Sequence, residues 1–203
     1  MQTTRQLDRF WNARQYDRLV RELLTARIES SPRLVAELAH PVPAAAMALI
    51  RLDELNQGVH PLNEKLIRTI IAAQEGDGGW GDLLVTALCV RALLCSRGQG
   101  VAIDRGIAWL ANLQKAQGAW PAFPIRRTAE DPFVSAFILF HLADQPAFRV
   151  AVRLDDAVTW LAQNEPTFDP ESRRLWQRAT LRCRLNRPIT RPVDRCLFAT
   201  VDN

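Results

Sequence analysis

LNEKLIRTIIAAQEGDGGW (62–80) and AIDRGIAWLANLQKAQGAW (102–120) align without a gap at an offset of 40 residues, so that Gln74 falls on Gln114, Gly78 on Gly118 and Trp80 on Trp120. A third, degenerate copy begins at RLDDAVTWLAQNEPTF (153–168), where Trp160 and Leu161 fall on Trp109 and Leu110 before the Gln and Trp signals fade. The segments that follow each tryptophan also repeat. DLLVTALCVRALL (82–94) matches DPFVSAFILFHLA (131–143), with Asp82 on Asp131, Thr86 on Ser135 and Ala87 on Ala136, and AAAMALIRL (44–52) is a weaker earlier copy. The unit is a helix, a Gln/Gly/Trp loop and a second helix, with a period of roughly 40 to 50 residues, as in stacked helix pairs.

The loop chemistry follows from its residue types. Gly78 and Gly118 permit the positive φ of a tight turn. Gln74 and Gln114, at helix ends, can hydrogen-bond free backbone groups of a neighbouring hairpin. Trp80 and Trp120 each add a large apolar plane with one N–H donor. Together these residues predict a clamp between one repeat and the next.

Outside the loops, apolar residues recur at helical spacing, as in Leu62, Leu66, Ile67, Ile70 and Ile71, and strand alternation is nearly absent. Punctuation by Pro and Gly predicts about ten helices, near 4–12, 14–28, 31–39, 43–55, 62–74, 83–96, 102–114, 132–144, 153–164 and 170–186. Asp131 before Pro132 suits a helix N-cap. The expected fold is all-α, one domain over 1–203: N-terminal helices in 1–42, the repeats in 43–168, and an Arg-rich helix and tail in 169–203.

Composition narrows the function. The chain of 203 residues is 48% hydrophobic and 24% charged, enough to bury one substantial core. Its first residues, MQTTRQLDRFWNARQYDRL, are charged throughout, and no window resembles a membrane span, which points to the cytoplasm. Cys89, Cys95, Cys183 and Cys196 form no CxxC pair, and His40, His60 and His141 are scattered, so neither a metal site nor an organic cofactor is expected. The net charge of +4 is concentrated in Arg173, Arg174, Arg178, Arg182, Arg184, Arg187, Arg191 and Arg195. Such a run could meet phosphate or a membrane surface, but its commonest role is a solvated face. No nucleic-acid motif accompanies it.

QEGDGGW (74–80) resembles the QW motif, QxxDGxW, of squalene-hopene and oxidosqualene cyclases, and QKAQGAW (114–120) fits its looser form QxxxGxW. TAL (86–88) and SAF (135–137) resemble the starts of the inner helices in that superfamily, which also includes the protein prenyltransferases. The resemblance spans about residues 43 to 165. It implies a short or partial α/α-toroid of tandem hairpins whose apolar cavity binds or processes an isoprenoid. The observed period gives four or five hairpins where a closed toroid uses about six. A protein partner or a second copy would then complete the ring.

The family's catalytic motifs are not reproduced. The DxDDTA acid motif aligns with DLLVTA (82–87) and DPFVSA (131–136), where Asp82 and Asp131 match only the first Asp and Leu84 and Phe133 replace the proton donor. A prenyltransferase zinc site and GCGEQ are absent, and Asp155 and Asp156 are followed by AVT, not by the rest of DDxxD. The catalytic candidates are Asp131 and Glu130, adjacent carboxylates at the expected mouth of an inner helix, which could separate in pKa. Capping alone accounts for Asp131, with Glu130 solvated, and is the commoner role; Asp82 is open to the same two readings. Asp77 reads as part of the loop turn. Phe133, Phe137, His141 and Asp82 are the candidate cavity residues, with core packing as the alternative for the aromatics. Two functions follow: an isoprenoid-binding or isoprenoid-processing protein, or a non-catalytic helical-repeat module for another protein, including one subunit of a split cyclase.

Overall fold

A computed structural model describes residues 41–55, 62–96 and 100–185. The expected helices at 4–12, 14–28 and 31–39, with Cys196 and the arginines at 187, 191 and 195, lie outside the described residues. The fold is all-α. Among the described residues the α-helices are α1 (Pro41–Glu54), α2 (Leu62–Ala72), α3 (Leu83–Cys95), α4 (Gly100–Leu113), α5 (Pro132–Leu142), α6 (Pro146–Ala151), α7 (Leu154–Asn164) and α8 (Pro170–Leu185), with a 3-10 turn at Glu165–Thr167. Each expected helix in this region is present within a few residues. The short α6 is an addition: six residues are too few for a periodic signal, yet Pro146 starts it and its Phe148 is fully buried.

The helices form two rows. In the first, α1 packs on α3, α3 on α5 and α5 on α8; in the second, α2 covers α1, α4 covers α3 and α7 covers α5. Composition explains the division. LLVTALCVRALLC of α3 and PFVSAFILFHL of α5 are apolar on nearly every side, as suits helices with neighbours on several faces. LNEKLIRTIIA of α2 and LDDAVTWLAQN of α7 are amphipathic and cover the first row from outside. The Arg-rich α8 joins the first row because Ser172, Trp176, Ala179 and Cys183 share one buried stripe.

The Gln/Gly/Trp loops fix each hairpin to the next. In the first copy the Gln74 amide donates to the carbonyls of Gly78 in its own loop and of Ala102 in α4, both at 2.9 Å. In the second the Gln114 amide donates to Gly118 O at 2.7 Å and to Arg153 O at 3.1 Å, while Gln114 Oε1 accepts from Arg153 N at 2.9 Å. The following hairpin answers in kind, since Arg105 donates to Glu75 O and Gly76 O, and Arg153 to Gln114 O and Lys115 O. The tryptophans hold their own hairpin together: the Trp80 indole donates to Ile70 O at 2.7 Å and the Trp120 indole to Leu110 O at 2.8 Å. Their backbone amides donate to the hydroxyls of Thr86 and Ser135, which explains why a buried hydroxyl recurs there.

At two glycines a positive φ coincides with a close backbone neighbour. Gly78 has φ 100° and packs against Arg105 O, and Gly118 has φ 89° and packs against the backbone of Asp156 and Ala157.

Candidate ligand-binding face

With α1, α5 and α4 packed around it, α3 keeps Leu84, Arg91 and Cys95 partly exposed on one stripe, with the buried Leu88 between them, and Val85 and Leu94 partly exposed to either side. On α5 the corresponding stripe is Phe133, Phe137, Phe140 and His141. The rings form a continuous row: Phe133 to Phe137 at 6.2 Å between centroids, Phe137 to His141 at 4.5 Å, and His141 to Phe140 at 5.0 Å in an edge contact. Three of the four expected cavity residues are thus brought together by i, i+4 spacing on one helix. The fourth, Asp82, sits at the N-terminus of α3, where its carboxylate accepts from Leu84 N at 2.7 Å and Val85 N at 3.3 Å.

One end of the row is basic. Arg182 lies over the Phe140 ring at 4.5 Å from its centroid and Arg178 at 5.9 Å. Among the described residues neither forms an ion pair. Arg91, by contrast, pairs with Asp144 at 3.3 Å, linking α3 to the end of α5. The α8 arginines were expected as a solvated face; two of them instead border the aromatic row, a placement that depends on which side of α8 the buried Trp176 stripe selects.

His141 is the group most altered by its surroundings. Burial among the aromatic rings pushes its imidazole down to about 3 from 6.5; Arg182 and Arg91 act in the same direction and Asp144 opposes them. A folded-state pKa below the unfolded one means that the unfolded chain binds the proton more readily. The stability due to neutral His141 is therefore complete above pH 6.5 and lost as pH falls toward 3. NMR titration of His141 is expected to give a midpoint near 3; a midpoint near 6.5 would mean that the ring is open to water.

The two catalytic candidates have separate duties. Asp131 caps α5, accepting from Val134 N at 3.0 Å. Glu130 pairs with Lys115 at 3.3 Å, and its carboxyl is held below the usual range, first by its own backbone N–H and then by Lys115. Adjacent in sequence, the two carboxylates thus have different partners, one a helix N-terminus and the other a lysine. Asp77 accepts from Gly79 N at 2.9 Å and, on its other oxygen, from the Trp109 indole at 2.8 Å, so its carboxyl is also lowered. Trp109, itself buried, is thereby tied to the preceding loop.

Other chemistry is sparse. Burial pushes the Cys89 thiol up, and pushes those of Cys95 and Cys183 up to about 11, so none is a ready thiolate. No group of three or more His, Cys, Asp or Glu residues suited to a metal occurs among the described residues. No described helix is long and apolar enough to cross a membrane. An open depression of about 330 Å³ lies between α6 and α7, lined by Arg149, Val152, Arg153, Leu154, Asp155 and Asp156; its Arg153 is already engaged in the second clamp.

Comparison with protein-family models, curated proteins and solved structures finds no match to this chain.

Proposed function

We propose that the chain is an isoprenoid-binding protein of the cytoplasm that holds the apolar chain of its ligand along the Phe133–Phe137–His141–Phe140 row, on a short or partial α/α-toroid. The observation that carries this reading is the row itself, four aromatic rings in succession on a helix of the first row, with its three phenylalanines left partly exposed and the His141 ring desolvated among them. The two QW-type loops, each followed by a helix of that row, support the same reading. Arg178 and Arg182 favour a ligand with an anionic head beyond the chain.

Binding is favoured over turnover because the nearby carboxylates are occupied. Asp82 and Asp131 cap helices, Glu130 faces Lys115, and Asp144 faces Arg91.

The test is incubation of the full chain with squalene, farnesyl diphosphate and geranylgeranyl diphosphate, read by native mass spectrometry for retention and by gas chromatography for products. Retention without product is expected. Phe137→Ala is expected to weaken retention of every bound ligand about tenfold through lost apolar contact. Arg178→Gln with Arg182→Gln is expected to weaken the diphosphates by about the same factor while leaving squalene unchanged. Cyclised product would establish an enzyme with an unusual acid, and no retention of any of the three would overturn the isoprenoid reading.

A further inference from the structure

We propose that the loop 121–130 docks this protein on an anionic lipid surface, with Phe123 and Ile125 entering the interface and Arg126 and Arg127 meeting lipid phosphates. The proposal does not rest on the isoprenoid reading.

The loop is an insertion at one repeat. Trp80 precedes the capping Asp82 by two residues, whereas the equivalent Trp120 precedes the capping Asp131 by eleven. In stacked repeats such insertions gather on one face, often the binding face.

It is also a built structure. Pro121 and Glu130 form an isolated antiparallel bridge, and Ala122 N donates to Ala129 O at 3.3 Å. Asp131 N donates to Trp120 O at 2.9 Å, and Thr128 turns its hydroxyl onto Ile125 O at 2.8 Å. The Lys115 ammonium reaches both Thr128 O and the Glu130 carboxylate, and Arg126 Nε holds Asn112 O at 2.8 Å. So anchored, the loop cannot simply fold its tip inward, and that tip is apolar: Phe123 is 43% exposed and Ile125 57%.

Charge selects the occupant. The insertion's acidic residue, Glu130, is paired with Lys115, so the charge beside the two apolar side chains is that of the exposed Arg127 and of Arg126, whose Nε is held by Asn112 O. An anionic bilayer offers both halves of what this tip needs, an acyl boundary and a layer of phosphate. A stable protein interface requires roughly 800 Å² from each partner, far more than two apolar side chains supply.

The test is co-sedimentation of the full chain with vesicles of phosphatidylcholine alone and of phosphatidylcholine mixed with phosphatidylserine, at low and high salt. Wild type is expected to partition onto the phosphatidylserine vesicles and to be released by salt. The variants Phe123→Ser/Ile125→Ser and Arg127→Gln, which leave the Arg126 tie to Asn112 O in place, are each expected to lose roughly fivefold or more in partitioning. Both change exposed side chains, and an unchanged melting temperature confirms that the fold is intact. Three results would overturn the proposal: wild type that ignores the anionic vesicles, variants that bind as wild type does because the C-terminal arginines drive attachment, or a loop that is instead shielded by a protein partner of the purified chain.

Discussion

Replacing Gly118 with alanine is expected to lower the unfolding free energy by about 3–5 kcal/mol, the sum of a left-handed backbone penalty and an overpacking penalty. Both apply at this position. Its φ is 89°, and an added Cβ would lie 2.3 Å from Ala157 N and 2.5 Å from the Asp156 carbonyl carbon. Both neighbours are backbone atoms of α7, so relief would require the third hairpin to move off the second. Gly76 is the control within an equivalent loop, since a Cβ there meets nothing within 4 Å, and Gly76→Ala is expected to change stability by no more than about 0.5 kcal/mol. Thermal unfolding of the two variants separates a packing clamp from generic loop flexibility. Comparable small effects would mean that the 114–120 loop is not a joint between hairpins.

Trp120→Ala is expected to cost about 3–5 kcal/mol as well, by a different route. The side chain is fully buried, its ring stacks on Phe148 at 6.2 Å between centroids, and its indole N–H donates to Leu110 O. Volume outweighs the hydrogen bond here, because Leu110 O also accepts from Gln114 N at 3.2 Å and is not orphaned when the indole is removed. Trp120→Phe, which keeps most of the volume and loses the bond, is therefore expected to cost only about 1 kcal/mol. Over a chain of this size the alanine variant corresponds to a fall in melting temperature of roughly 6–20 °C. A phenylalanine variant as unstable as the alanine one would assign the role to the indole N–H instead.

The hairpin unit is legible in the sequence because its parts answer to local requirements. Gly118 needs a positive φ, Gln114 stands at a helix end, and Asp131 precedes a proline at a helix start. The aromatic row is legible for a similar reason, since Phe133, Phe137 and His141 follow one another at i, i+4 on a helix whose course the repeat had already set. Contacts between distant residues are a different matter. The Trp109 indole meets Asp77 across 32 residues, and nothing in either residue's local pattern marks the pair. Lys115 and Glu130 lie on either side of the insertion within one repeat and meet only because that insertion closes on itself. Glu130 shows the same limit: its own backbone N–H and a lysine fifteen positions away hold its carboxyl low, and only the Asp131 cap could be read locally. The basic end of the row is likewise illegible, since Arg174, Arg178 and Arg182 share one stripe at i, i+4 spacing and only the packing of α8 on α5 brings the last two to Phe140.

The proposed ligand face is tested most directly by photolabelling the full chain with a diphosphate-bearing isoprenoid that carries a diazirine on its chain, then mapping the attachment by mass spectrometry. Labelling within α5, between Phe133 and His141, that is suppressed by unlabelled geranylgeranyl diphosphate and by Phe137→Ala is the predicted result. Label that avoids α5, or that gathers at the depression between α6 and α7, would contradict it.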